Sequence, residues 1–422
     1  LFAVVLVAQG PGWLRALRPP RERGIDFFQE WASARFFADG LPVYGDLALA
    51  VQLYLHLDDV AVVVPVNGHP PPAILLALPF AFLDYPDAVL AWNLLGLTLF
   101  LASLWLVCRS LAVKLAPLPT ATLLLLCNPL RQQVELGQLN FILVALLILA
   151  WFFWRGAAAD VSTRSLPRMI AAGLALGSAT AIKLFPGFIL LVLAVRRQGA
   201  LVFAGLAAVA LWFGVAAFVL GPSVLGDYFH EVVPRLERGQ SGWANASLTG
   251  LWFKLFDPAT ELEMVRPLWR SPWLARGLSV MSALAILALL SCLPTSTEQQ
   301  RDRLFAAAVT GTLLVSPLTW DHYLVLLLAP IFVVARALPP VRGARMAFAL
   351  ALTAIWLDPH SLHHLAIGSR SHAIASPLQT LAFLSWQTYA LGVVFCLAVF
   401  SRTNEDDRDG IGMEDTPTRR SA

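Results

Sequence analysis

Long apolar stretches recur along this chain, at 88–107, 139–154, 169–195, 201–220, 273–293 and 378–400. Several reach the ~17–25 residues that carry an α-helix across a bilayer, and no other feature constrains the fold as strongly. Barrel strands would be about ten residues long and would alternate apolar with polar positions; that alternation is absent. Composition agrees. Of 422 residues, 58% are apolar and 14% charged, where a soluble domain carries about 25% charged, and the mean hydropathy is +0.69. The expected fold class is an all-α polytopic membrane protein, a bundle of about 10–12 transmembrane segments with extracytoplasmic loops.

Short loops rich in Lys and Arg mark the cytoplasmic side. Here they are Arg109 and Lys114; Arg155, Arg164 and Arg168; Arg196 and Arg197; Arg301 and Arg303; and Arg336, Arg342 and Arg345. The long segments 9–70 and 221–272, with 128–138, 319–322 and 358–377, then fall outside. Arg15, Arg18, Arg21 and Arg23 do not contradict this, because long loops cross regardless of charge. PPPAILLALPFAFL (70–83) is too short to span and is expected to lie half-buried. The run 169–195 is interrupted by Lys183-Leu184-Phe185-Pro186, which predicts a broken helix or tight hairpin lining protein or water. Residues 1–400 are read as one transmembrane domain, opening inside its first helix, and the polar tail 401–422 as a disordered cytoplasmic segment.

The net charge of +3 gives no ground for a nucleic-acid partner. Cys108, Cys127, Cys292 and Cys396 lie in or beside apolar runs without a CxxC, and read as buried inert thiols.

The polar residues that remain collect in one set of loops. In GIDFFQEWASARFFADGLPVYGD, Asp26 and Glu30 share a helix face, and the aromatic residues predict an amphipathic helix lying at the membrane interface. Glu30 reads as a solvated charge and Asp26 as a cap or a functional carboxylate. Gln138 and Asn140 stand at a helix mouth, where amides bind sugar hydroxyls or close helix ends. Lys183 inside an apolar run costs ~2.5–3.5 kcal/mol at mid-membrane unless it is paired or wet, so it either snorkels or faces an anion such as phosphate. Asn245-Ala246-Ser247 follows Trp243 in a loop that reads as a turn or a ligand contact. In Trp320-Asp321-His322 the imidazole can donate to phosphate or shuttle protons. Metal ligation by His322 with a carboxylate finds no HxxE or HxH spacing to support it, while His360, His363 and His364 of DPHSLHH (358–364) invite a metal reading of their own.

Taken in order, these motifs resemble glycosyltransferase family 87, polyprenol-phosphate-mannose-dependent α-mannosyltransferases of the GT-C superfamily. The resemblance rests on Asp26 with Gly40 and Tyr44, on His69-Pro70-Pro71-Pro72 where the family often has Tyr-Pro-Pro, and on Gly137-Gln138-Leu139-Asn140. It continues through Lys183-Leu184-Phe185-Pro186 with Arg196-Arg197, Asn245-Ala246-Ser247-Leu248, and Ser316-Pro317-Leu318-Thr319-Trp320-Asp321-His322. It implies transfer of a sugar, mannose first among candidates, from a polyprenyl phosphate to a hydroxyl of a glycolipid or glycan on the extracytoplasmic face, with inversion. Asp26 is then expected to be the base, and Lys183 and His322 to hold the donor phosphate. Tyr44, Gln138, Asn140, Asn245 and Trp320 are expected to bind sugar or acceptor. A divalent metal is optional, since phosphate is already a good leaving group. The rival expectation is a transporter or flippase for a lipid-linked sugar, which should show related halves and substrate groups near mid-membrane.

Overall fold

The structure, a computed structural model, describes residues 1–20, 25–57, 65–157, 165–259, 265–367 and 374–400. Arg21, Arg23, Arg164 and the tail 401–422 lie outside the described residues. Helices make up the described segments, apart from loops and one isolated bridge between Val265 and Ala375. Among the described residues four helices are long and apolar enough to cross a membrane: Tyr85–Ser110, Ser165–Ile182, Gly199–Leu220 and Pro272–Cys292. Pro377–Leu384 and Trp386–Phe400 together are long and apolar enough for a fifth, but they are bent by 50° where the sequence reads as one run. Ser385 at that break donates to the carbonyl of Thr380 at 2.9 Å, and the buried Lys254 donates to that of Leu384 at 3.2 Å. The kink therefore has local causes, a side chain and a cation inserted into the helical ladder. Phe2–Leu17, Pro71–Phe80, Pro117–Leu126 and Asn140–Gly156 are apolar but shorter. A count of 10–12 segments has to include such pieces.

The tightest helix crossing is set by glycine. A Cβ on Gly173 would sit 2.2 Å from the carbonyl oxygen of Leu201, and one on Gly177 only 2.1 Å from that of Gly205. Small residues four apart let backbones touch, the usual means of packing helices where lipid removes the hydrophobic drive. Ser165–Ile182 is thereby locked against Gly199–Leu220. The broken helix expected at 183–186 is present: Ser165–Ile182 stops, four residues turn, and Gly187–Val195 starts back.

Basic residues gather at one end of the bundle. Arg155 meets Asp302 and Glu298, and Arg301 donates to the carbonyl of Trp154. Arg196 donates to the carbonyls of Leu290 and Ser291, and Arg336 to that of Leu111. Loops separated widely in sequence thus share one rim, as the charge pattern predicts. Asn140–Gly156 runs from that rim for 17 residues, about 25 Å at 1.5 Å per residue. Its far end, Asn140, reaches the opposite side of the bundle.

Two expectations are corrected here. The helix Phe27–Ala38 does not offer its aromatic rings to lipid: Phe27, Phe28, Trp31 and Phe36 are all buried in the protein. Phe27 stacks on Trp92 at 4.7 Å and Phe28 meets Tyr85 edge-on, so the rings serve the core instead of lipid. Of the four cysteines only Cys127 is buried, while Cys292 and Cys396 are exposed on membrane helices.

Candidate active site

At the end away from the basic rim, three remote segments meet. Asp26 stands at the N-cap position of Phe27–Ala38, its side chain making no cap hydrogen bond. Gln138 and Asn140 flank the junction between Asn128–Leu136 and Asn140–Gly156. Lys183 follows Ser165–Ile182 directly. Gly137 makes the junction possible. Its φ of +62° closes the first helix in the left-handed conformation, and a Cβ there would lie 2.8 Å from that of Phe27. Trp92 fastens the turn by donating to the Gly137 carbonyl at 2.7 Å.

Gln138 is the hub. Its Nε2 donates to Asp26 Oδ2 at 2.6 Å, and its Oε1 accepts from Lys183 Nζ at 2.9 Å. The amide orientation follows from chemistry, since a carboxylate only accepts and an ammonium only donates. Lys183 also donates to Asn140 Oδ1 at 3.2 Å and stands 4.2 Å from the centre of the Tyr323 ring. The Asn140 amide in turn donates to Gln133 Oε1 at 3.0 Å and to the carbonyl of His322 at 3.2 Å. One hydrogen-bonded chain therefore runs from Asp26 to the backbone carbonyl of His322.

Two groups of this cluster lack a complementary partner. Lys183 is buried without a carboxylate in ion-pair contact among the described residues; neutral amides and a ring face hold it. His322 Nε2 is buried with no hydrogen-bond partner. A buried orphan nitrogen costs about 1–3 kcal/mol, a cost a bound oxygen anion or hydroxyl would offset. Asp26 is half-buried, and desolvation pushes its carboxyl above the usual carboxylate range. The Gln138 hydrogen bond and the nearby His69 pull the other way.

Glu30 is not the solvated charge that its sequence suggests. It is 2% exposed, and its Oε1 meets Nδ1 of His69. The i,i+4 spacing from Asp26 was the available signal; nothing in the sequence marked His69 as its partner. Tyr44 stands beside this pair, its hydroxyl donating to the His69 carbonyl at 2.8 Å.

The downstream candidates divide. His322 joins the cluster, but Asp321 turns away from it, held between Asn128 Nδ2 at 2.6 Å and Gln387 Nε2 at 2.7 Å. Asn245 is committed elsewhere. Its Nδ2 donates to the carbonyls of Gln240 and Pro317, and its Oδ1 accepts from the backbone of Ser247 and Thr319. Both ends of that amide are spent on pinning one loop to another. Trp320 packs under the same loop, where a Cβ on Gly242 would lie 2.6 Å from its ring. His360 and His363 pack against Trp243, and no three metal-ligating side chains come together among the described residues.

A carboxylate, an ammonium and two imidazoles gathered at one end of a polytopic helical bundle make this the candidate active site. The sequence pattern of glycosyltransferase family 87 matches residues 68–317, more than half of the chain, and the chain belongs to that family. Gln138, Asn140 and Lys183 fall inside the match, Asp26 and His322 outside it. A polyprenol-phosphate-mannose-dependent alpha-(1-2)-phosphatidylinositol mannoside mannosyltransferase from Mycolicibacterium smegmatis is 29% identical over 94% of this chain and 88% of its own length. A protein of the same description from Mycobacterium tuberculosis is 27% identical over 75% of this chain and 70% of its own. Among solved structures, that of ArnT from Cupriavidus metallidurans bound to undecaprenyl phosphate aligns with 94% of this chain and 74% of that one, at 15% identity and a TM-score of 0.41. That likeness is too loose to add to the assignment. None of these comparisons supports the transporter reading.

Proposed function

We propose that this enzyme transfers mannose from polyprenyl phosphate mannose to a hydroxyl of a phosphatidylinositol mannoside or a similar glycolipid, inverting the anomeric centre, on the extracytoplasmic side of the membrane. Asp26 takes the proton of the acceptor hydroxyl. The freed oxygen bonds to C1 of the mannose as the bond from C1 to the phosphate oxygen breaks, and that oxygen keeps the electron pair. Single displacement of this kind needs one base and a stabilised leaving group, in contrast to the paired carboxylates of a glycosidase. A carboxyl raised by burial is better matched to accepting a proton near neutrality than an ordinary aspartate.

Lys183 and His322 bind the phosphate, where fixed donors in a shielded site stabilise the charge left on it. Tyr44, Gln138 and Asn140 border the sugar. Asn245 holds the loops that frame them. The observation that carries this reading is the double hydrogen bond of Gln138, which ties the proposed base to the proposed phosphate clamp. The relatives' described activity supports the choice of donor and acceptor. An outward-facing site is supported by its distance from the basic rim.

The test is transfer in detergent from labelled polyprenyl-phosphate-mannose to purified phosphatidylinositol mannosides, with the product linkage determined. An α-mannosylated product is expected. Passage of intact donor across a vesicle membrane with no new glycosidic bond would overturn the reading.

A further inference from the structure

The Glu30–His69 pair has no part in the mechanism above, yet it is built into the same cluster. Glu30 lies one helical turn after Asp26 on the same face, and its Oε1 faces Nδ1 of His69. The turn carrying His69 is fastened along that helix. Asn67 donates to the Gln29 carbonyl at 3.1 Å and to Ser33 Oγ at 3.2 Å, and accepts from the His69 amide at 2.9 Å. Gln29 accepts from the Gly68 amide at 3.1 Å, and Tyr44 donates to the His69 carbonyl. Backbone and ring of His69 are therefore both held.

Because a carboxylate only accepts, Glu30 fixes a hydrogen on Nδ1 and leaves Nε2 as the accepting nitrogen of the neutral ring. Nε2 has no protein hydrogen bond among the described residues, and His69 lies within electrostatic reach of both Asp26 and His322. Acceptor atoms are scarce in this cluster. The side-chain oxygens of Gln138 and Asn140 both take Lys183. A sugar has several hydroxyl hydrogens to place, and Asp26 serves the one that leaves.

We propose that His69, oriented by Glu30, recognises the acceptor sugar: its Nε2 accepts a hydrogen bond from a hydroxyl next to the one that Asp26 deprotonates. The chain thereby selects acceptors that carry a vicinal pair of hydroxyls. Glu30 is a positioning residue that acts through the ring. This inference rests on the transferase reading, with Asp26 as the base.

The test pairs variants with trimmed substrates. Full-length enzyme in detergent is given a fixed donor and mannoside acceptors, each lacking one hydroxyl beside the receiving one. His69→Phe should raise the acceptor KM about two- to tenfold, the worth of one neutral hydrogen bond, and leave the donor KM as it is. One of the deoxy acceptors should cost the wild type that same factor and cost His69→Phe nothing further. His69→Gln, which keeps an acceptor oxygen nearby, should recover part of the loss. Glu30→Gln should raise the acceptor KM less than His69→Phe does. A wild-type acceptor KM in His69→Phe, a change in donor KM instead, or deoxy penalties that persist in the variant would each overturn the proposal. If the wild type makes no product, the transferase reading is what fails. Direct titration of free mannoside into wild type and His69→Phe then decides the recognition role by itself, equal binding overturning it.

Discussion

Replacing Gln138 by leucine keeps most of the side-chain volume and removes both hydrogen bonds at the hub. Asp26 Oδ2 then loses its 2.6 Å donor and Lys183 its 2.9 Å acceptor. A hydrogen bond to a charged group is worth about 1.5–3 kcal/mol. Loss of one such term in the transition state lowers kcat/KM by about ten- to 150-fold. The pH profile carries a second, signed readout. Burial raises the Asp26 carboxyl and the Gln138 hydrogen bond lowers it, so removing Gln138 lets it rise further. A base works only when unprotonated, so the acid side of the kcat/KM profile should move to higher pH, and the variant should lose activity earlier as pH falls. The assay is mannosyl transfer in detergent, followed from the mildly acidic to the mildly alkaline range, with thermal unfolding monitored alongside. Wild-type kcat/KM at neutral pH with an unmoved acid limb, in a folded variant, would refute the coupling of base and clamp.

Two further outcomes follow from packing. Gly177→Val would force a side chain to within 2.1 Å of the Gly205 carbonyl, and should cost at least the ~1–3 kcal/mol of an overpacked core; a melting temperature in detergent equal to wild type would refute the close crossing. Asn245→Ala strips partners from the backbone amides of Ser247 and Thr319, at about 1–3 kcal/mol for each buried group left unpaired. Thermal stability should drop while donor KM in the folded fraction holds. A raised donor KM at full stability would instead make Asn245 a ligand contact.

The membrane bundle was legible because bilayer length and hydropathy are local properties of a chain. So was the break at 183–186, since a lysine with a proline three residues on does not continue a lipid-facing helix. Partner choice was not legible. Asp321 and His322 are adjacent in sequence, yet the side chain of one is held by Asn128 and Gln387 while the backbone carbonyl of the other ends the chain of bonds from Asp26. Glu30 resembles a surface charge on any helix until His69, 39 residues away, is brought against it. Asn245 carries the residue type of a sugar ligand, but its amide is consumed by carbonyls and amides that only the folded loops supply. Spacing within a helix reaches the face of a residue and stops short of what lies opposite.

The most direct measurement is single-turnover transfer by Asp26→Asn, together with equilibrium binding of polyprenyl-phosphate-mannose to the same preparation. Asparagine keeps the size of the side chain and its contact with Gln138 but cannot take a proton, so transfer should fall by about 10²–10⁴-fold, the usual worth of a general base, with the donor still bound at Lys183 and His322. Turnover at the wild-type rate would remove Asp26 as the base.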